Sequence, residues 1–297
     1  MFQDIKIVRL KKKIKIFFYQ LGLMKPNSIW PFLSERQKKY LVKNVNIVSA
    51  NETIAAIKKT IEMKMAGAYM RFGDGDVLLM LGVDDCLHKA NEQMSKEMKE
   101  AFKLNYGVIH KGLAIHSELF GFEAGMKDGV HVLPDNQAFK YLSATYKFLD
   151  LSKVYTPVAL HQLATINPIE CINFLKFLKG TNPIFVGNET IRPDLIEKLF
   201  GGIHIKTPSR DSYNEIDRIE NDLIKVLKTK GTEFQVVVIA MGCPGRILQK
   251  RILKKRYNVY LFDFGSLLDA FNDHNSRAWI RLTGGLENYT KLLQSLD

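Results

Sequence analysis

The run Val236-Val237-Val238-Ile239-Ala240 constrains this chain more than any other stretch. Four β-branched residues in succession leave no polar face for water, so a strand built from them is too apolar for an exposed edge and belongs at the centre of a sheet. It feeds the turn Met241-Gly242-Cys243-Pro244-Gly245 and a basic helical stretch, Arg246 to Arg256, before a second apolar run, Val259 to Phe262. Strand, helix and strand in that order indicate an α/β sheet with helices on its faces.

The rest of the sequence repeats the alternation. Further strand candidates are residues 68–72, 113–116, 154–159, 184–186 and 203–206. Helical segments are expected near 51–65, 91–104, 137–148, 168–178, 193–200, 213–228 and 286–296. At 297 residues and 46% hydrophobic content the chain is long enough to bury a full core. Cys86, Cys171 and Cys243 are odd in number, far apart and without C-x-x-C spacing, which suggests neither a disulfide framework nor a zinc knuckle and fits a reducing cytoplasm.

Charge divides the chain unevenly. Residues 1–50 hold 11 Lys/Arg against Asp4 and Glu35, so of the net +12 only +3 remains for everything after them. A near-neutral body argues against a nucleic-acid partner, and a basic N-terminal segment argues for attachment. Within it Ile7, Leu10, Ile14, Phe17 and Leu21 recur at spacings of three and four among six basic residues. That pattern predicts a basic amphipathic helix, with residues 5–24 able either to lie on an anionic membrane surface or to pack on the body. Nothing approaches the roughly 20 apolar residues that span a bilayer. Lys25-Pro26 and Trp30-Pro31 break the helix, which divides the chain into an arm and linker, 1–44, and a globular domain, 45–297.

The candidate chemistry starts at Arg71-Phe72-Gly73-Asp74-Gly75-Asp76, placed at a strand end. Asp74 and Asp76 supply the one or two carboxylates that Mg²⁺ or Mn²⁺ takes from a protein, the remaining ligands coming from water and phosphate. Gly73 and Gly75 leave the backbone open to a bulky ligand, and Arg71 adds a fixed positive fork. The same residues also make a serviceable tight turn. Gly242 and Gly245 border a strand-to-helix turn of the kind that binds anions, although neither a G-x-G-x-x-G nor a Gly-Lys-Ser/Thr spacing is present. Asp263 ends the following strand, where it can take a sugar hydroxyl, act as a base, or cap the next helix. Asn188 occupies a similar strand end, Arg210 is placed for a diphosphate, and His274 is a possible third metal ligand.

Arg71-Phe72-Gly73-Asp74-Gly75-Asp76 resembles the Arg-Phe-Gly-Asp-Gly-Glu signature of the GT-D fold glycosyltransferases, formerly a domain of unknown function. The likeness extends through Ala240–Ile247, Tyr260–Ser266 and Pro208–Asp217, about residues 45–283 in all. It implies a Rossmann-like, mostly parallel sheet with helices on both faces. It also implies a metal-assisted hexosyltransferase that moves a sugar from a nucleotide-diphosphate donor to a glycan, glycolipid or glycoprotein acceptor in polysaccharide biosynthesis. Carried over by position, Asp74 and Asp76 serve Mn²⁺ or Mg²⁺ and the donor. The reading of the residues themselves adds Arg71, Gly73, Gly75, Asn188, Arg210, Gly242 and Gly245 as expected donor-site residues and Asp76 and Asp263 as the expected catalytic carboxylates. Asp76 departs from the family's Glu by one methylene. Two other classes compete: a haloacid-dehalogenase-type phosphatase, whose D-x-D-x-[TV] start Asp74-Gly75-Asp76-Val77 satisfies, and a non-catalytic scaffold on a membrane surface.

Overall fold

In the computed structural model, Ile14 and residues 33–115, 125–127, 130–132, 135–275, 280 and 285–296 are described. The strands are β1 (Gly67–Phe72), β2 (Val108–Leu113), β3 (Gly125–Lys127), β4 (Val130–Val132), β5 (Ile184–Asn188), β6 (His204–Thr207), β7 (Gln235–Ala240) and β8 (Val259–Asp263). Six of them form one sheet in the order β2-β1-β8-β7-β5-β6, every neighbouring pair parallel, while β3 and β4 make a separate antiparallel pair. The apolar run that ends in Ala240 thus lies inside the sheet, between β8 and β5, as its composition requires.

Parallel neighbours need crossovers, which the helices provide. In chain order these are α1 (Glu35–Asn44), α2 (Ala50–Glu62), α3 (Asp74–Met80), α4 (Glu92–Phe102), α5 (Asp135–Thr145) and α6 (Ala159–Ile166). They continue with α7 (Pro168–Gly180), α8 (Pro193–Leu199), α9 (Ile216–Thr229), α10 (Pro244–Lys254), α11 (Leu267–Phe271) and α12 (Leu286–Gln294). Strand side chains alternate between two cores. Ala68, Met70, Phe72, Val237, Ile239 and Leu261 pack with α1, α3, α4, α9 and α10, whereas Tyr69, Val236, Val238, Tyr260 and Phe262 pack with α2, α6, α7, α8, α11 and α12. Helices therefore cover both faces.

Several sequence expectations shift. The strand expected at 113–116 is β2, at Val108–Leu113, and His116 lies outside the described residues. Its polar positions hid it: His110 is buried there with Nδ1 2.6 Å from the Tyr260 hydroxyl. Residues 154–159 make only isolated bridges, Ile47 with Val154 and Gly112 with Tyr155, because Pro157 has no N–H to donate and Ala159 already starts α6. The residues after Asp76, for which the sequence suggests no element, continue the helix α3 as far as Met80.

Helix α1 falls on the linker side of residue 45 yet belongs to the packed body. Ser34 and Gln37 form a capping box at its start, Leu41 is fully buried, and Gln37 Nε2 donates to the Tyr146 hydroxyl at 3.0 Å. The expected amphipathic arm, residues 5–24, lies outside the described residues apart from Ile14, which is helical. Among the described residues no helix is long and apolar enough to cross a membrane.

Candidate functional site at the carboxyl ends of β1, β7 and β8

Strands β1, β8 and β7 are consecutive in the sheet, so the segments leaving their carboxyl ends gather at one edge. In open α/β sheets that edge is where ligands bind. After β1 the chain turns through Gly73 directly into α3, placing Asp74 and Asp76 in the first turn, where the helix dipole favours carboxylates. Asp74 is exposed, and its Oδ1 accepts the Gly75 N–H at 2.9 Å. Asp76 is only 3% exposed, and its Oδ2 folds back to accept the Gly73 N–H at 2.9 Å.

Arg246, in the first turn of α10, reaches from the end of β7 across to β1. Its Nε donates to the Arg71 carbonyl at 2.5 Å and its Nη1 to the Gly242 carbonyl at 2.7 Å. The same guanidinium holds Asp76 Oδ1 at 3.2 Å and Asp263 Oδ2 at 3.0 Å. Arg71 completes the group, with Nε 3.3 Å from Asp263 Oδ2 and Nη1 donating to the Pro157 carbonyl at 2.9 Å. Two guanidiniums and two carboxylates thus alternate, Arg71–Asp263–Arg246–Asp76, beneath the strand ends. Burial pushes the Asp76 carboxyl up to about 6, against the opposing pull of Arg246 and the Gly73 N–H. Asp76 is still ionised at neutral pH. Burial would weaken the charge on Arg246, but Asp263 and Asp76 together hold it protonated.

Two glycines make this geometry possible. Gly265 has φ +70, and a Cβ there would stand 1.6 Å from Arg71 Nη2, so the guanidinium passes where any other side chain would be. A Cβ on Gly75 would lie 2.8 Å from Asp85 Oδ2 and 3.2 Å from Cys243 Sγ. Gly73 has no such need, its nearest neighbour being Asp76 Oδ2 at 3.9 Å.

A loop from Val83 to Asn91 crosses the same edge. Asp85 organises it: Oδ1 accepts the Leu87 and His88 N–H groups at 2.8 and 2.5 Å, and Oδ2 accepts the Cys243 thiol at 3.2 Å. Burial, with Asp76 and Asp85 close by, pushes the Cys243 thiol well up and keeps it protonated. On its other side the loop is tied to the segment after β6, where Arg210 Nη2 donates to the Cys86 carbonyl at 3.1 Å and Asp211 Oδ1 accepts the Lys89 N–H at 3.0 Å.

Of the residues singled out in the sequence, Arg71, Asp74, Asp76, Gly242 and Asp263 meet at this edge. Asn188 ends β5, and its Oδ1 accepts the Thr190 N–H at 3.0 Å, a local turn bond. Arg210 braces the 83–91 loop. His274 is exposed beyond α11, where its backbone N–H donates to the Asp269 carbonyl. Around Gly242 the turn is partly closed on itself: Gly245 and Arg246 donate their N–H groups to the Gly242 and Cys243 carbonyls, and Pro244 has none to offer. Among the described residues no three His, Cys, Asp or Glu side chains sit close enough to enclose a metal ion by themselves. Sequence reading missed Arg246, Asp85 and His88. A basic residue opening the helix after the central strand was the only available cue to the first, and none marked the other two.

No protein-family model matches the chain, and no curated protein matches it. Solved structures do. A selenomethionine-substituted structure of domain of unknown function 1792 (DUF1792) superposes with a TM-score of 0.57 at 17% identity, over 77% of this chain and 82% of that one. A second, reported as showing that this highly conserved domain has a distinct glycosyltransferase fold, gives 0.57 at 15% identity over 78% and 82%. A third, described as a new glycosyltransferase (DUF1792) from Streptococcus sanguinis, gives 0.54 at 14% identity over 74% and 81%. Strand ends, sheet order and superposition together give this chain the fold of the DUF1792 structures, a distinct glycosyltransferase fold.

Proposed function

We propose that this chain is a glycosyltransferase that moves a hexose from a nucleoside-diphosphate donor to a glycan, glycolipid or glycoprotein hydroxyl. One observation carries the proposal: in a fold shared with glycosyltransferase structures, Arg71, Asp74, Asp76, Arg246 and Asp263 converge at the carboxyl ends of adjoining strands. The donor diphosphate lies along this edge, beside Gly73, Gly75 and the Gly242–Gly245 turn. Asn188 and Arg210 border it on the β5 and β6 side.

The residues fit a divalent cation held as Mg²⁺ or Mn²⁺ commonly is, through one protein carboxylate with phosphate and water completing the shell. Asp74 is that carboxylate, because it is exposed while Asp76 is enclosed by Gly73 and Arg246. When bound, the ion offsets charge on the departing diphosphate. In the transfer itself the acceptor oxygen bonds to the anomeric carbon, the bond from that carbon to the phosphate oxygen breaks, its electron pair leaves with the nucleoside diphosphate, and the hydroxyl proton passes to the departing diphosphate or to water. Arg71 and Arg246 meet that developing charge with prearranged guanidiniums. Asp263, between the two guanidiniums, and Asp76, on the far side of Arg246, act as positioning residues in place of the metal-ligand and base roles expected from sequence. Both carboxylates are enclosed and turned toward guanidiniums inside the protein, which keeps them from an acceptor hydroxyl.

Polysaccharide assembly in the cytoplasm is the setting we propose, with residues 5–24 as a peripheral anchor on an anionic leaflet. The concentration of positive charge in residues 1–50 supports the anchor. Thermal shift with UDP-, GDP- and CMP-sugars, with and without Mn²⁺, tests the transferase. A donor-dependent rise in melting temperature is expected, enhanced by Mn²⁺ in the wild type but not in Asp74→Ala. Absence of any donor-dependent rise defeats the transferase, and an unchanged Mn²⁺ effect in Asp74→Ala defeats the metal assignment. Co-sedimentation of the chain with anionic liposomes, with and without residues 1–25, tests the anchor; equal binding defeats it.

A further inference from the structure

The imidazole of His88 is 4% exposed, and neither ring nitrogen has a hydrogen-bond partner. Buried polar groups of this kind are rare enough to need a reason, such as a ligand that supplies the missing partner. Its position is not accidental packing. Gly242 has φ +69 at the turn entering α10, and a Cβ on it would lie 2.8 Å from His88 Nε2, so Gly242 both shapes the turn and makes room for the ring. The His88 N–H is fixed by Asp85, and the flanking Leu87 carbonyl accepts the Asp211 N–H at 3.1 Å. The ring is therefore held from both sides against the turn between β7 and α10, the eleven-residue helix that carries Arg246.

We propose that His88 is a diphosphate-binding residue, its Nε2–H supplying a side-chain donor at the Gly242 turn. This rests on the transferase activity proposed above. The backbone donors of Gly245 and Arg246 are already used within the turn and Pro244 has none, so a side-chain donor adds to what the backbone offers a phosphate here. Burial lowers the affinity of the ring for a second proton, with Arg246 and Arg210 adding to that effect and Asp85 and Asp211 opposing it. A neutral imidazole has one N–H and one acceptor nitrogen, and the donor is available to a phosphate oxygen. Nε2 is enclosed between the loop and Gly242, so binding requires the 83–91 loop, held by Arg210 and Cys243, to move outward. Asp84, Cys86 and Lys89 lie exposed on that loop.

Calorimetric titration of the full chain, His88→Phe and His88→Gln with inorganic pyrophosphate, and separately with UDP, GDP and CDP, tests the proposal. Phe keeps a flat ring and removes both nitrogens, whereas Gln returns an N–H near the Nε2 position. We expect His88→Phe to weaken diphosphate binding about tenfold or more and His88→Gln to stay within about threefold of wild type. The unliganded melting temperature of His88→Phe should be unchanged or raised, since an unpaired buried polar group is gone. A lowered melting temperature with unaltered affinity, or failure of both variants to fold, marks a purely structural ring and overturns the proposal. Nucleoside diphosphate binding that is indifferent to His88→Phe removes the His88 site and leaves the transferase standing. Pyrophosphate binding that needs His88, with no nucleoside diphosphate bound by the wild type, keeps the site and removes the transferase. Binding of neither removes both.

Discussion

Helix α10 carries two ionic clusters about one turn apart, and they are built differently. In its first turn Arg246 shares Asp76 and Asp263 with Arg71, and of these groups Asp76 Oδ1, Asp263 Oδ2 and Arg71 Nε meet charge without a well-aligned hydrogen bond. One turn on, Lys250 and Arg251 meet Glu97 of α4 at 2.7 and 2.6 Å, and Arg251 also meets Asp217 and Glu220 of α9 at 2.6 and 2.9 Å. Tyr213 donates a further bond to Glu97 at 3.0 Å. The second cluster is saturated and clamps three helices together. The first is left short of partners where a substrate is proposed to arrive. Departures from full satisfaction are expected at functional sites and are tolerated only where the surroundings are firm. Here the firmness comes from the neighbouring clamp.

The largest effect should come from breaking the clamp. Glu97→Ala leaves Lys250, 3% exposed, and Arg251 without their shared carboxylate, and a loss of about 3–5 kcal/mol in urea unfolding is expected. A loss below about 1 kcal/mol would remove the distinction between the clusters. Next is Gly265→Ala, which puts a methyl group where Arg71 Nη2 lies and a side chain on left-handed backbone. About 1–2 kcal/mol is expected from the backbone alone, read by the same unfolding experiment. The smallest change is Asp76→Asn, within about 1 kcal/mol at pH 7, because Asn still accepts the Gly73 N–H. Its signature lies in pH dependence. Asp76 has its folded pKa raised to about 6, so its contribution is fully present below the unfolded value near 4 and is lost as pH rises through 6. Glu97 works in the opposite sense. Burial opposes its charge, but the bonds from Arg251 and Lys250 hold its carboxyl well below the usual range. Its contribution is therefore present above the ordinary Glu value and lost as pH falls. Urea midpoints measured between pH 4 and 7 should show Asp76→Asn removing only the falling component.

Much of the fold was legible because it rests on local pattern. The continuous apolar run at β7 implied a central strand, and helical segments were expected where α2, α9 and α10 lie. Elements with polar residues in buried places were not legible. β2 hides behind His110, whose partner Tyr260 is 150 positions away, and α3 was obscured because Val77–Leu81 is too short to show a helical period. At the site, the carboxylates and Arg71 could be found because their spacing repeats a signature. Arg246, Asp85 and His88 could not, since what they do depends on neighbours from other strands and loops.

Sequence by itself determined the class of fold, the alternation of most of its strands and helices and the strand ends at which acidic and basic residues would stand, because apolar periodicity and turn chemistry act over a few residues. Tertiary structure alone decided which charges meet. It enclosed Asp76 and left Asp74 open, set Asp263 between two arginines, and brought His88 against Gly242. Burial and pairing arise only when distant segments converge, and they decide whether a carboxylate binds a ligand, accepts a proton or holds a neighbour in place.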